Sequence, residues 1–191
     1  MVHGRRQGGI TATLRVSSIL LLLVVATGLR PAWSDEAAIR PFFGTYEGRT
    51  LMPMGEARNR DLRVAIRPLG AFGFTAEWLT TLHKSGNPPE SKMQAIDFEP
   101  TRRPNVYAVA RVNGVTGGAG EEPADGEPYA WARLAGDTLT VNLLTITDNG
   151  DYVIQTYDRS LTPDGMKLTF MRVRNGRIER RIKAALKRVG E

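Results

Sequence analysis

Cysteine is absent from this chain of 191 residues, and histidine occurs only at His3 and His83. Without cysteine there is no disulfide, thiol nucleophile or iron–sulfur cluster, and two histidines cannot build a multi-histidine zinc site. The chain also lacks a Gly-x-Ser-x-Gly segment, so it has no serine-hydrolase nucleophile turn. We therefore predict no metal, no cofactor and no catalytic residue.

Paired carboxylates are not apparent either. Asp148, Asp151, Asp158 and Asp164 lie at or beside predicted turns, where aspartate is favoured because its side chain bonds to the backbone. A glycosidase needs two carboxyl groups held at a defined separation across a cleft, and this spacing does not establish such a pair. We expect that the protein is not an enzyme.

The longest apolar run is Ile19 to Ala26, and it follows three arginines. Small residues, Ala32 and Ser34, then stand at the −3 and −1 positions of a cleavage site. This order is typical of a secretory signal peptide over residues 1–34, which leaves a mature domain over residues 35–191 in the periplasm or outside the cell. A retained N-terminal anchor is the alternative, although the run is short for a membrane span.

Much of the net charge lies in this leader. Four of the 26 basic residues precede residue 35 and none of the 20 acidic residues does, so the mature chain has 22 basic against 20 acidic residues. A field this weak does not indicate nucleic-acid binding.

Basic residues are concentrated near the C-terminus of the mature chain. The segment from Arg172 to Arg188 has eight basic residues and one acidic residue. Contact with an anionic lipid or another polyanionic surface is one interpretation. A solvated outer face that keeps a sheet soluble and protects its edge is the other, and we favour it.

Short segments with alternating apolar and polar residues occupy most of the mature chain, and glycine, proline and asparagine separate them. Such a pattern is typical of an all-β antiparallel meander. About ten strands are predicted, over residues 43–50, 60–68, 72–82, 92–98, 105–112, 128–134, 138–147, 151–160, 166–174 and 177–187.

The connections favour neighbouring antiparallel strands. Asn149-Gly150 and Asn175-Gly176 suit type I′ hairpin turns, and Gly136-Asp137 suits a type II′ turn. A meander without helices closes its edges by forming an up-and-down barrel, and we predict this fold. Residues 177–189 also have apolar side chains at helical spacing, so an outer C-terminal helix is the alternative there. The Gly-rich segment from Gly114 to Pro128 is predicted to be a surface insertion or a mobile loop at the barrel mouth.

The segment Phe43-Gly44-Thr45-Tyr46-Glu47-Gly48 resembles the first strand of small exported lipocalin-like (calycin) β-barrel proteins. Residues 129–174 resemble their terminal strands. In that family a Gly-x-Trp motif closes the barrel floor and an arginine late in the barrel packs across the tryptophan. The resemblance implies that Gly44 and Tyr46 form this motif, with Arg172, Arg174 or Arg180 as the arginine through cation–π stacking.

The resemblance also implies a barrel that carries a small apolar or amphipathic ligand, although some members have filled cavities. A related ten-stranded group binds haem through a histidine near its C-terminus. This chain has no histidine after position 83, so no haem is expected.

Two predicted strands combine aromatic side chains with a guanidinium on one face, because alternate residues of a strand share a face. If both faces point inward, the arginines receive a carboxylate or phosphate and the interior holds an apolar tail. The opposite face of the eighth strand, with Tyr152, Ile154 and Thr156, is more apolar, so we expect that face to line the core. The candidate ligand-binding residues are Tyr129, Trp131, Arg133, Gln155, Tyr157 and Arg159.

Three functions are consistent with these patterns. We favour an exported binding protein with a small ligand in its barrel. An interaction module of the cell envelope with a filled barrel is the second. An outer-membrane barrel is the third, with Leu62, Val64 and Ile66 facing lipid, but a basic C-terminal strand argues against it because an arginine at the bilayer midplane costs about 2–4 kcal/mol.

Overall fold

A computed structural model of the chain describes residues 38–51, 60–83, 86–113, 123–126 and 128–190. The leader predicted over residues 1–34 and most of the Gly114–Pro128 segment lie outside the described residues. Among the described residues, no helix has the length and apolar character needed to cross a membrane.

Ten antiparallel strands form one closed sheet, and each strand pairs with its neighbours in the chain. The first strand also pairs with the last, so the predicted up-and-down barrel is confirmed. Two short 3-10 helices, Arg40–Phe42 and Pro123–Asp125, accompany the sheet. The strands are β1 Gly44–Leu51, β2 Arg60–Leu69, β3 Gly73–Leu82, β4 Glu90–Pro100, β5 Val106–Asn113, β6 Tyr129–Ala135, β7 Thr138–Ile146, β8 Tyr152–Thr162, β9 Gly165–Arg174 and β10 Arg177–Gly190.

Residues 177–189, for which the sequence pattern allowed either a strand or a helix, form a strand, since β10 extends from Arg177 to Gly190. Asn175 and Gly176 both have positive φ angles, 47° and 79°, as the predicted type I′ turn requires. The same prediction for Asn149-Gly150 is wrong, because only Gly150 has a positive φ. There the amide of Gly150 donates to the carbonyl of Thr147, which makes a longer hairpin connection.

Apolar side chains fill the inside of the barrel. Val64 and Ile66 are fully buried, whereas Arg63 and Arg67 on the same strand have about half of their side chains exposed. An outer-membrane barrel needs the opposite orientation, with the apolar face of β2 toward lipid. The alternative with Leu62, Val64 and Ile66 facing lipid is therefore wrong.

The barrel closes where β1 meets β10. A Cβ at Gly48 would collide with the carbonyl oxygen of Ala185, and a Cβ at Gly44 would lie 2.8 Å from the carbonyl oxygen of Gly190. Glycine lets the two backbones approach at these points. The Gly-x-Tyr segment therefore contributes to closure of the sheet as well as to its core.

The two ends of the barrel differ. At one end, called here the closed end, the segment before β1 places Ile39 and Phe42 into the interior, where both are fully buried. The other end, called here the open end, carries the β1–β2, β3–β4, β5–β6, β7–β8 and β9–β10 connections. The candidate site lies toward the open end.

Candidate functional site

A cavity of about 150 Å³ lies inside the barrel, between the apolar core and the open end. Its walls are mostly aliphatic and aromatic, with a few polar groups among them. In the part of the chain that the structure describes, the lining includes four arginines and no acidic residue, and one of the four, Arg63, has its side chain on the outer face of β2. The lining residues are Thr50, Arg60, Leu62, Arg63, Val64, Trp78, Leu79, Thr80, Gln94, Tyr157, Arg159, Leu168, Phe170, Arg180 and Ile182.

Arg159 is the polar group set deepest in this cavity, and it is 0% exposed. Its guanidinium carbon lies 5.2 Å from the ring centroid of Trp78 and 5.3 Å from that of Tyr157. Among the described residues, none accepts a hydrogen bond from its Nε, Nη1 or Nη2. Burial lowers the pKa of Arg159 to about 10, so the group is still a cation at neutral pH.

The two rings compensate only part of the cost of burying this cation. Removing an ion from water costs several kcal/mol even after relaxation. A desolvated cation–π contact returns about 2 kcal/mol, whereas each buried donor left without an acceptor costs about 1–3 kcal/mol. The described residues thus leave the charge partly compensated and its N–H groups unsatisfied, which is typical of a group that meets a ligand or solvent.

Aromatic side chains hold the guanidinium in place. The ring centroids of Trp78 and Tyr157 are 5.0 Å apart, and those of Tyr157 and Phe170 are 4.9 Å apart. The indole of Trp78 donates to Gln94 Oε1 at 3.2 Å, and the hydroxyl of Tyr157 donates to Gln155 Oε1 at 3.2 Å. Burial raises the pKa of Tyr157, so this hydroxyl stays protonated.

Ion pairs join the strands at the open end. Arg172 Nε lies 2.8 Å from Glu179 Oε2, and Arg174 contacts both Glu179 and Asp151, at 2.7 and 3.3 Å. The hydrogen bond from Arg174 is the main reason why the pKa of Glu179 is lowered. The pKa of Asp151 is also lowered, mainly by a hydrogen bond from Asn175. These pairs lie on β8, β9 and β10 and their connections, so they tie three neighbouring strands together.

One half of the predicted ligand-binding set lies in the interior. Gln155, Tyr157 and Arg159 share the inner face of β8, and Tyr157 and Arg159 are buried. The expectation that Tyr152, Ile154 and Thr156 line the core is wrong, because Tyr152 is 41% exposed. The charged face points inward because two aromatic rings cover the guanidinium.

The other half lies on the outside of the barrel. Ala130, Ala132 and Leu134 form the buried inner face of β6, so Tyr129, Trp131 and Arg133 point outward. Tyr129 is 41% exposed. The structure does not bring these three side chains to Arg159, because they are on opposite sides of the sheet.

The register of β7 supplies the signal that could have separated the two sets. Leu139, Val141 and Leu143 are its apolar face, and they pair with Arg159, Tyr157 and Gln155 on β8. The same three residues pair with Leu134, Ala132 and Ala130 on β6. Since paired residues share a face, the apolar face of β7 and its flanking turns assign both orientations.

The Gly-x-Tyr segment on β1 contacts a different arginine from the one predicted. Gly44 and Tyr46 lie on β1, and the Tyr46 hydroxyl donates to the carbonyl of Phe42 at 2.9 Å. The guanidinium over the Tyr46 ring belongs to Arg188, 4.9 Å from the centroid. The assignment of Arg172 is wrong because Arg172 lies toward the open end, opposite Arg180, whereas Tyr46 pairs with Arg188.

Arg188 is also bonded to the chain that covers the closed end. Its Nη1 donates to the carbonyl of Phe43 at 2.7 Å and its Nη2 donates to the carbonyl of Pro41 at 2.6 Å. Burial raises the pKa of Tyr46, although the nearby Arg188 partly opposes this shift. This arginine is therefore a structural clamp.

Sequence reasoning did not identify Thr50 as a cavity residue. Its hydroxyl oxygen is buried and has no hydrogen-bond partner among the described residues. Thr50 lies on the inner face of β1, four residues after Tyr46, so strand alternation from Tyr46 could have identified it.

Apolar side chains also form a continuous row on the outside of the barrel, called here the outer row. Each member pairs with the next across five neighbouring strands, β6 to β10. Ile178 at one end of the row is 57% exposed, and Arg177 is its neighbour in the chain. The outer row consists of Tyr129, Leu144, Ile154, Val173 and Ile178.

Comparison of this chain with profiles of known families, with curated proteins and with solved structures gives no significant match.

Proposed function

We propose that the chain is an exported, lipocalin-like binding protein that holds a small amphipathic ligand in the cavity at the open end. The observation that carries the proposal is the cavity itself. It has mainly apolar walls and a few convergent polar groups, which is the usual composition of a small-molecule site. No catalytic role is needed for any residue of this site.

Two further observations support the lipocalin-like and exported character. Tyr46 on β1 packs under Arg188 on β10, which is the type of contact that the resemblance implies for the barrel floor. The leader pattern over residues 1–34 supports export. The buried apolar interior with charged residues outside suits a barrel that is surrounded by water.

Native mass spectrometry tests whether a ligand is bound. The full chain is expressed with its leader, purified without detergent from the periplasm, and measured under non-denaturing conditions. We expect a species with added mass that is lost on denaturation. Ile182→Trp, which fills the cavity, should remove the added mass, whereas Ile178→Trp on the outer face of the same strand should keep it.

A protein that shows only its own mass in every preparation would contradict the binding proposal. Recovery of the protein in the membrane fraction alone, rather than in the detergent-free periplasmic extract, would contradict the localisation. The two results are independent, so each part of the proposal can fail separately.

A second candidate function is contact with an anionic lipid surface, and the outer row favours it. Exposed apolar patches on soluble proteins often mark interaction sites. Tyr129 and Ile178 supply apolar and aromatic area, and Arg181, which pairs with Met171 on the outer face of β10, adds positive charge near Ile178. Aromatic side chains with adjacent basic residues suit the headgroup region of an anionic membrane. Arg172, Arg174 and Arg188 are bonded within the barrel, so this contact would use the other basic residues of the segment.

Sedimentation with vesicles of phosphatidylglycerol and phosphatidylcholine tests this second function. At low salt we expect the wild-type protein to sediment with the vesicles and Ile178→Glu to remain in solution. Met93→Glu is the matched control, because Met93 is 60% exposed on β4, outside the outer row. Equal sedimentation of Ile178→Glu and the wild type would rule out the outer row as the contact.

A further inference from the structure

The chemistry of Arg159 defines the ligand more narrowly than the cavity alone. A guanidinium has five N–H donors and no acceptor. Those of Arg159 meet two aromatic faces and no oxygen acceptor among the described residues. A ligand atom that satisfies them must therefore be an acceptor, and a charged acceptor also compensates the buried cation.

The surrounding charges point to an anion. Glu179 and Asp151 are engaged by Arg174 at the rim, and Asp158, next to Arg159 in the chain, accepts a hydrogen bond from Thr140 at 2.7 Å. Among the residues that the structure describes, no carboxylate belongs to the lining of the cavity, while Arg60 and Arg180 join Arg159 there. A cleft lined by one sign of charge attracts the opposite sign, and low-dielectric walls strengthen this effect.

The arrangement also sets the direction of the ligand. Arg159 pairs with Leu168 on β9, and Leu168 pairs with Ala184 on β10. The next inner pair toward the open end is Phe170 with Ile182. Apolar walls therefore lie between the guanidinium and the mouth. An amphipathic ligand fits with its charged head inside and its chain toward the open end.

Size and geometry select within the class of anions. A cavity of 150 Å³ accommodates a benzene-sized body. A carboxylate presents two coplanar oxygens that match the fork of a guanidinium. The Thr50 hydroxyl, buried in the same cavity without a partner among the described residues, offers one more donor.

Resting on the proposed binding function, we propose that the barrel selects monocarboxylates of about six to eight carbons, which enter head first, pair with Arg159 and leave the last carbons of the chain at the open mouth, since the cavity holds a body of benzene size. Arg60 and Arg180 lie nearer to the open end, among the first residues of β2 and β10, so Arg159 is the single guanidinium at the depth of the head group and neutralises one negative charge. A phosphate monoester carries about −1.5 to −2 charges at neutral pH. It would bring excess charge into the low-dielectric interior, so the site favours carboxylates over phosphates.

Isothermal titration calorimetry of the full chain tests this proposal with four probes of one chain length: octanoate, octan-1-ol, octylamine and octyl phosphate. We expect octanoate to bind at least 30-fold more tightly than octan-1-ol and octyl phosphate, and octylamine not to bind. Raising the salt from 50 to 500 mM should change the octanoate affinity by less than threefold, since a buried pair is screened little.

Variants assign the selectivity to one side chain. Arg159→Gln should lower the octanoate affinity at least 30-fold, to the level of octan-1-ol, while octan-1-ol binding is kept. Arg133→Gln is the matched control, because Arg133 is exposed on the outer face of β6. If Arg159→Gln does not fold, Arg159→Met, which keeps the length of the side chain without its charge, takes its place.

The outcomes separate the two levels of the proposal. Octan-1-ol binding equal to or tighter than octanoate overturns the carboxylate assignment and leaves the binding function intact. Tighter binding of octyl phosphate also overturns it. No binding of any probe, together with no added mass in native mass spectrometry, overturns both the assignment and the proposed function.

Discussion

Two arginines of this barrel lie over aromatic rings, one at the closed end and one deep in the cavity, and their surroundings differ. Arg188 at the closed end covers Tyr46 and donates to two backbone carbonyls. Arg159 in the cavity covers Trp78 and Tyr157 and has no acceptor among the described residues. The same side chain therefore stabilises the fold in one place and is left with unmet hydrogen-bonding capacity in the other.

Arg188 is exposed and bonded to the backbone, whereas Arg159 is buried and unsatisfied, so the two separate a structural arginine at the surface from a buried one whose donors are unmet. A satisfied cation contributes to stability, since hydrogen bonds to a charged group are worth about 1.5–3 kcal/mol. An unsatisfied one costs stability and is kept where it serves function, since proteins break local rules at such sites. The closed end follows the general rules of packing and hydrogen bonding, whereas Arg159 and Thr50 in the cavity have buried polar atoms without a partner among the described residues.

The largest expected effect comes from the clamp at the closed end. Arg188→Met should lower the free energy of unfolding by about 3 kcal/mol, because two charge-assisted hydrogen bonds and a cation–π contact are lost. Urea denaturation measures this change. Arg172→Met is the control, since its partly exposed ion pair with Glu179 is worth about 0–1 kcal/mol. Equal losses in both variants would remove the distinction between the clamp and the rim.

Closure of the sheet gives the next largest effect. Gly48→Ala should lower the free energy of unfolding by about 2 kcal/mol, because the added methyl group meets the backbone of Ala185 and the side chain of Leu186 and forces β1 away from β10. Gly190→Ala on the same seam is the control, since its Cβ would meet only Thr45, at 4.0 Å. A Gly48→Ala protein as stable as the wild type would contradict close packing at the seam.

Arg159→Met should change the free energy of unfolding in the opposite direction to Arg188→Met. Replacing an unsatisfied buried ion by an apolar side chain of similar length should raise the free energy of unfolding of the ligand-free protein by about 1 kcal/mol. Urea denaturation of ligand-free protein measures it, and octanoate should no longer protect the variant. A loss of stability as large as that of Arg188→Met would mean that Arg159 is a second structural clamp.

The smallest expected effect is that low pH destabilises the open end of the barrel more than the closed end. The pKa values of Asp151 and Glu179 are lowered in the folded state. Their ionised forms therefore stabilise the fold fully above the pKa values of the unfolded chain, and this stabilisation is lost as the pH falls below about 4, through the pKa values of the folded state. Among the described residues no such carboxylate holds Arg188, whose partners are carbonyls.

Hydrogen exchange at pH 3 and pH 6 measures this difference. Amides of residues 152–155 and 174–180 should lose protection at pH 3 before those of residues 42–46 and 186–188. Glu179→Gln should reduce the pH dependence at the open end only. Uniform loss of protection along the barrel would contradict the difference between the ends.

Much of the fold follows from local pattern. Ten alternating segments predict ten strands at nearly the observed bounds, because alternation and turn residues act over short distances. The sequence also predicts an arginine over Tyr46, but it does not indicate which one. Arg172, Arg174, Arg180 and Arg188 are all basic residues of the same segment, and only the register of β10 against β1 distinguishes them.

The candidate site was half predicted. Gln155, Tyr157 and Arg159 were named together, but the apolar character of Tyr152 and Ile154 favoured the other face of β8 for the core. On β6 the inner residues Ala130 and Ala132 are small, so the larger Tyr129 and Trp131 dominated the pattern although they point outward. Hydrophobicity alone misleads when inner residues are small or when rings cover a charge.

The amino-acid sequence by itself determined the number of strands, their order and the absence of thiol and multi-histidine chemistry, since these depend on composition and on neighbours along the chain. Only the tertiary structure decided which arginine clamps Tyr46, which face of β8 is inside and that the guanidinium of Arg159 has no acceptor among the described residues. Those properties depend on contacts between strands far apart in sequence, whose register and closure set what each buried side chain meets.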